Sequence, residues 1–542
     1  MASGSMPGPR TADVPWGRPS RAEGLALLTV LALAALTRLP GLAARGQWDS
    51  DQGGQMLTLR AFVQEGVVPL VGPPASVGGF HHGALYYWLL APAAAVSGGN
   101  DPVPVLCMFA LAGITAVAAA WWVARGMGGP LAGIIAALLL AVSAPAIAGS
   151  VWLWNPNLVP LPSLVAVGAA WRGWQGRHPG WWVVSAAALT IAGQLHVLAW
   201  LLALPVGALF ATTLLRSATW PGERRRVLQW GLAGIGVIAL SYLPLLAYEM
   251  AHDFAETRGV LAFLAAGGSP ASAGPLTRLF VVTIRLLAWP LAGLLTTAPV
   301  PAVLAAVGVG AGLVWRAVVA PRQERAAARW LLASLVGACL VLGLGVGALA
   351  EVTPLTVDQY HAAFDPLVVV SAALAIAGLA QADGGAASKT SPKLMTRPRF
   401  RLHPTNARLT GGSVAAVLVS LCVVGWNIAR WPPAVSPDGG WPAAEAAARR
   451  LEATVGHSPF ALVSLPSFKP ADAYRYPLVR DGFRPVTASG VRQVVVLCDD
   501  LFVTDCPAAS GAEARTLLGA VTQTLAFSPA PGRHLTVYVR RN

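Results

Sequence analysis

Apolar runs long enough to cross a bilayer, or nearly so, recur at 24–41, 103–124, 130–149, 157–171, 180–195, 196–216, 228–247, 299–318, 330–350, 362–381 and 412–430. A span needs about 20 mainly apolar residues, so the pattern predicts a mainly α, polytopic membrane protein of about eleven transmembrane helices. Two further apolar stretches, 80–97 and 276–297, do not fit as spans, because counting either alone inverts every later loop. Both are expected to lie in or dip into one interface. The 180–216 block divides at His196 or forms one bent segment. From 432 onward the pattern changes. "FALVSL" (460–465), "VRQVVVLC" (491–498) and "HLTVYVRR" (534–541) alternate as strands do, while 441–455 and 511–525 read as helices. The tail 432–542 is therefore expected to be a small α/β domain.

Composition supports the membrane assignment. Of 542 residues, 55% are hydrophobic and 11% charged, and mean hydropathy is +0.59. Soluble domains carry roughly a quarter charged residues. The net charge of +14 does not argue for nucleic acid, because basic residues in such a chain first report topology. They fall on alternate loops: Arg125; Arg172 and Arg177; Arg216 and Arg224 to Arg226; Arg316, Arg322, Arg325 and Arg329; then Lys389, Lys393 and Arg397 to Arg408. The positive-inside rule then makes 1–23 a cytoplasmic tail, 24–431 the transmembrane domain of a multi-pass plasma-membrane protein, and 432–542 extracytoplasmic. Most acids collect on the outer side: Asp49, Asp51, Glu65, Asp101, Glu249, Asp253, Glu256, Glu351, Asp358 and Asp365. Cys498 and Cys506 lie in the outer tail, where a disulfide is permitted. No CxxC pair or Cys/His cluster indicates zinc.

The first outer loop, 42–102, is long and rich in polar and aromatic residues. "DQGGQMLTLRAFVQEG" reads as a helix starting near Asp51, so Asp51 has a plain role as a cap. Asp49 stands two residues earlier. Paired carboxylates can share a divalent ion, or separate their proton affinities so that one becomes a general base. His81 and His82 follow at an expected helix start, beside Tyr86, Tyr87 and Trp88. Other outer connections bring Asn155 and Asn157 ("WNPNLVP"), Gln194 and His196 ("QLHVLAW"), and Tyr360 and His361 ("DQYHAAFD") to the same depth. Polar residues there are costly and mark a pathway or site, although each alone is also an ordinary cap or anchor. Arg278 and Arg285, seven apart, share one helix face. They either snorkel to headgroups or clamp a lipid phosphate.

Together these pieces resemble the C-type (GT-C) integral-membrane glycosyltransferases, in particular the bacterial relatives of the protein mannosyltransferases (glycosyltransferase family 39-like) and of the lipid A aminoarabinose transferase. The resemblance covers about 24–430. It rests on "TRLP" (37–40), "DSDQGGQ" (49–55), "LVGPPASVGGFHHGALYYWLLAP" (70–92), "WNPNLVPLP" (154–162) and "QLHVLAW" (194–200). It implies inverting transfer of one sugar from a polyprenyl-phosphate donor to an outer-face glycan, lipid or protein. Asp51 matches the family's first-loop acid and would be the base. The family often has Asp-Glu there, where this chain has Asp51-Gln52, which leaves Asp49 as a substitute. Some members hold a metal at this acid. His81, His82, Asn155, Asn157, Gln194 and His196 match positions that look like substrate lining. A lipid or sugar transporter is the alternative, although no internal repeat of the kind transporters show is visible. A receptor sensing through 432–542 is a third reading.

Overall fold

The computed structural model describes residues 17–75, 78–176, 178–266, 273–345, 359–382, 410–487 and 490–541. Helix α1 (Arg21–Arg38) leads into the first loop, which folds as α2 (Leu42–Arg45), α3 (Ser50–Arg60), the hairpin β1 (Val71–Pro74) and β2 (His81–Gly83), and α4 (Leu85–Ala95). His81 and His82 therefore lie on a strand, one turn ahead of the helix they were expected to open. Next comes α5 (Val103–Val142), a 40-residue run broken at Gly129, whose φ of +83° suits glycine and which precedes Pro130. That break separates the expected spans 103–124 and 130–149.

The bundle continues through α6 (Ala144–Ser150), α7 (Pro160–Trp174), α8 (Trp181–Leu195), α9 (Ala203–Arg216), α10 (Pro221–Ser241), α11 (Leu243–Ala251), α12 (Ala255–Ala265), α13 (Pro275–Ala292), α14 (Pro299–Val319), α15 (Arg322–Gly345), α16 (Asp365–Ala382) and α17 (Gly411–Ile428). Each of the eleven expected spans contains a helix. Among the described residues seven helices are long and apolar enough to cross a membrane, and the bent pair α10–α11 makes an eighth. His196 interrupts α8 from a 3-10 turn at Val197–Leu202 that feeds α9, with extended backbone at the break.

Basic side chains gather at one end of this bundle. Arg125 pairs with Glu23 at 2.6 Å, both buried. Arg172 lies over the Trp122 and Trp181 rings, and Arg216 over Trp174. Arg316 pairs with Glu324, and Gln323 donates to the Gly126 carbonyl at the same end. The first loop sits at the other end. Arg38 there is fully buried and donates to Ser150 Oγ and to the Leu140 and Ala141 carbonyls. Helix α13 has the length of a span, yet both of its ends bond to helix ends on the first-loop side. Arg278 donates to the Leu344 carbonyl, while Ser143 and Asn427 donate to the Pro290 and Leu291 carbonyls. Arg177, Glu351, Asp358 and the basic loop from Lys389 to Arg408 lie outside the described residues.

The tail forms α18 (Gly440–Val455), β3 (Phe460–Leu465), α19 (Asp472–Arg480), β4 (Gln493–Asp499), α20 (Cys506–Leu518), β5 (Val521–Ala530) and β6 (Arg533–Arg540). The sheet order is β3-β4-β6-β5, with β3 and β4 parallel and the other neighbours antiparallel. Cys498 and Cys506 form a disulfide. The helix expected over 511–525 is corrected. It ends at Leu518, because Gly519 adopts φ +80°, and Val521 onward pairs with β6 instead. Tertiary pairing outweighs the helical pattern once the turn is made.

Candidate active site

The capping chemistry of α3 separates the two aspartates. Asp49 is its N-cap: the carboxylate accepts from Ser50 N–H, and Gln52 Oε1 accepts from Asp49 N–H at 2.8 Å, completing a capping box. The cap expected at Asp51 is thus made by Asp49. Asp51 falls in the first helical turn and projects into a cavity of about 800 Å³.

That cavity is built where the first loop, the bundle and the C-terminal domain meet. Its wall includes Asp51, Gln55 and Thr58 of α3, His82 of β2, Tyr87 of α4, Asn155 and His196 at helix breaks, and Tyr360. From α12 come Val260, Phe263 and Leu264, and from the tail Phe468, Lys469 and Asp472. The His82 and His196 rings lie 5.1 Å apart, with Tyr360 edge-on to His196 at 6.4 Å. Burial, with help from neighbouring His81, lowers His82 to about 4, so it is neutral at pH 7.

The expected substrate-lining residues divide. His82, Asn155, His196 and Tyr360 meet at this cavity. Asn155 also donates to the Leu195 carbonyl at 2.7 Å. His81 turns away: its ring and its backbone N–H both bond Glu256, at 2.8 and 2.6 Å. Gln194 braces the helices, accepting from Leu85 N–H and donating to Ser241. Asn157 lines a second, smaller cavity of about 290 Å³ that shares Trp154, Pro156 and Gln359 with the first. His361 bonds Asp365 at 2.6 Å beside Trp289. Arg278 and Arg285 line neither cavity.

Sequence reasoning did not single out the contribution of the tail. Asp49 Oδ2 accepts from Lys469 Nζ at 3.1 Å and pairs with Arg533 at 2.9 Å. Arg533 also donates to the Trp48 carbonyl, Trp48 N–H to Asp438, and Trp48 Nε1 to the Ala473 carbonyl. The Trp48 and Trp441 rings lie 4.7 Å apart. One available signal was the rarity of lysine: Lys389, Lys393 and Lys469 are the chain's three.

These neighbours drive the two carboxyls in opposite directions. Burial alone would raise Asp49, but Arg533, Lys469 and the Ser50 amide outweigh it and hold the carboxyl below the usual aspartate range. Asp51 is exposed to the cavity, yet the walls displace most bulk water from around its carboxyl. Burial therefore raises it, the Asp49 charge adds to the rise, and Lys469 opposes it. Replacing Asp49 with Asn should cost about 1–3 kcal/mol at pH 7, since it strands two cations that are only partly solvated. A depressed carboxyl stabilises above its unfolded value and loses that effect as pH falls through the folded one. The gap in thermal midpoint between wild type and Asp49→Asn should thus close on acidification; a gap independent of pH would contradict the pairing.

The carboxylate pair was also a candidate metal site. Among the described residues no three His, Cys, Asp or Glu side chains converge as metal ligands, and Asp49 already satisfies two cations. Among the described residues, Asp49 and Asp51 alone do not make up the ligand set of a divalent ion.

No family model matches the chain, and no curated protein matches it. Solved structures do. The apo crystal structure of ArnT from Cupriavidus metallidurans superposes with a TM-score of 0.54 at 15% identity, covering 96% of this chain and 98% of that one. The same protein bound to undecaprenyl phosphate gives 0.56 at 15% identity, covering 95% and 98%. The correspondence takes in the bundle, the first loop and the C-terminal domain together, and the chain has the GT-C fold.

Proposed function

We propose that this protein is a membrane glycosyltransferase that moves one sugar from a polyprenyl-phosphate donor to an extracytoplasmic lipid, glycan or protein. The observation that carries the reading is Asp51: a carboxyl with raised proton affinity, facing a cavity at the first-loop end of a membrane bundle. Asp51 takes the proton of the acceptor hydroxyl as its oxygen attacks the anomeric carbon. The carbon–oxygen bond to phosphate breaks on the opposite face, its electron pair leaves with the phosphate, and the anomeric centre inverts. His82, Asn155, His196 and Tyr360 orient the sugar.

A polyprenyl donor also needs a place for its tail. An apolar groove of about 230 Å³ lies among Leu201, Leu204, Pro205, Ala208, Trp330 and Phe364. Leu198 and Tyr360 in the cavity wall stand three or four residues from Leu201 and Phe364 in the groove. A chain lying there would bring its head to Asp51 while its tail stays in lipid. The basic end of the bundle is then cytoplasmic by the positive-inside rule, and the cavity and tail domain are outside.

The test is mass spectrometry of lipid-linked sugars and envelope glycans in a deletion strain, with purified protein incubated with the donor identified. Accumulated donor, a missing envelope sugar and release of polyprenyl phosphate are expected. A transporter would show intact donor carried across, with none cleaved.

A further inference from the structure

We propose that Lys469, carried by the C-terminal domain, is the cation that receives the donor's phosphate. The proposal rests on the glycosyl-transfer reading and assigns the leaving-group side of the same cavity. Among the described residues lining that cavity, Lys469 is the one lysine or arginine. Arg278 and Arg285, which share a helix face, are not in its wall.

The ammonium is held but not used up. It has three donors. One meets Asp49 Oδ2 at 3.1 Å, and Asp499 Oδ2 lies further off at 3.6 Å. Its side chain is 31% accessible. The Phe502 ring, 5.3 Å from Nζ, offers an aromatic face rather than water, and Phe468 packs edge-on against it.

Asp49 can release it. The Oδ2 atom that Lys469 touches is also paired with Arg533, whose other nitrogen is fixed on the Trp48 carbonyl. When a phosphate enters, Lys469 can turn to it without leaving Asp49 unpaired. A lysine suits this work, being a compact charge on a flexible stem, whereas the planar fork of Arg533 suits the fixed contact. The backbone under Lys469 is anchored as well. Three residues later Asp472 opens α19, packed directly on Gly53 of α3. The turn that carries Lys469 thus leads straight into the direct contact between the start of α19 and α3, the helix that carries Asp51. As the sugar–phosphate bond breaks, the bridging oxygen takes the electron pair, and the nearby ammonium stabilises that charge.

The experiment measures binding of undecaprenyl phosphate and of uncharged undecaprenol to the purified full chain in detergent. Wild type, Lys469→Met, Lys469→Arg and Asp51→Asn are compared. Lys469→Met should weaken undecaprenyl phosphate roughly ten- to thirtyfold, leave undecaprenol unchanged, and be partly rescued by Lys469→Arg. Asp51→Asn should bind undecaprenol as wild type does and undecaprenyl phosphate at least as tightly, because a like charge is removed from the cavity, while failing in turnover. Unchanged phosphate binding by Lys469→Met overturns the proposal. So does an equal loss of both lipids, which would mark a structural role. If Asp51→Asn still loses turnover in either case, the transfer reading survives without Lys469.

Discussion

Asp51→Asn is expected to lower sugar transfer roughly a thousandfold, within the range a positioned general base supplies, without lowering the thermal midpoint. The second half of that result follows from the direction in which Asp51 is perturbed. A carboxyl raised by burial disfavours its own ionised form in the folded state. Its stabilising contribution is present only below the unfolded value and is lost as pH rises through the folded one. At pH 7 an uncharged isostere therefore removes a cost, and the variant should unfold at the wild-type temperature or slightly above. Activity lost from a well-folded protein would be chemistry lost. The wild-type rate should rise with pH through the raised Asp51 value, because only the ionised form accepts a proton. Wild-type activity in Asp51→Asn would remove Asp51 from the mechanism. Asp49→Asn is the paired variant: if it alone abolished transfer with stability intact, the two carboxyls would exchange roles.

Gly53→Ala is expected to be the most damaging one-methyl change in the first loop. A Cβ at Gly53 would stand 2.0 Å from the Asp472 carbonyl oxygen and 2.6 Å from the Ala473 amide nitrogen. Those are backbone atoms of a helix start and cannot turn aside as a flexible side chain could. Overpacking a tight contact costs about 1–3 kcal/mol, and here relief requires lifting α19 away from α3. That motion pulls Lys469 from the cavity and Ala473 from Trp48 Nε1. Limited proteolysis should release the 432–542 region from Gly53→Ala faster than from wild type, with transfer falling in parallel. A variant as resistant and as active as wild type would show that the two helices do not meet this closely.

The bundle was legible because its signal is long and repeated. Eleven apolar runs and alternating arginines sufficed, and even the Gly129 break stood between two expected spans. The strands β3, β4 and β6 were visible in their alternation. Strand β5 was hidden, because "GAVTQTL" continues a helical pattern and only pairing with β6 makes it a strand. The two aspartates were legible as a pair, with Asp51 expected as the base, but the opposite perturbation of their carboxyls was not. It depends on Lys469 and Arg533, which reach Asp49 across more than four hundred residues. The same holds for Gln194: its spacing marks a helix end, while only packing shows that Ser241 and Leu85 occupy its amide. Contacts between distant segments write no local pattern into the chain.

The seating of the tail on the first loop also sets a schedule. Trp48 and Arg533 bond across 485 residues, and Asp49 has both of its cations only when Arg533 is in place beside Lys469. A ribosome must pass Asp472 before the tail's side of the Asp51 cavity can form, and Arg533 before Asp49 gains its second cation, although both aspartates are among the first residues made. During the intervening synthesis the bundle can thread into the bilayer with the first loop still uncovered, and a chain that stalls or is clipped before β6 lacks the Arg533 partner of Asp49.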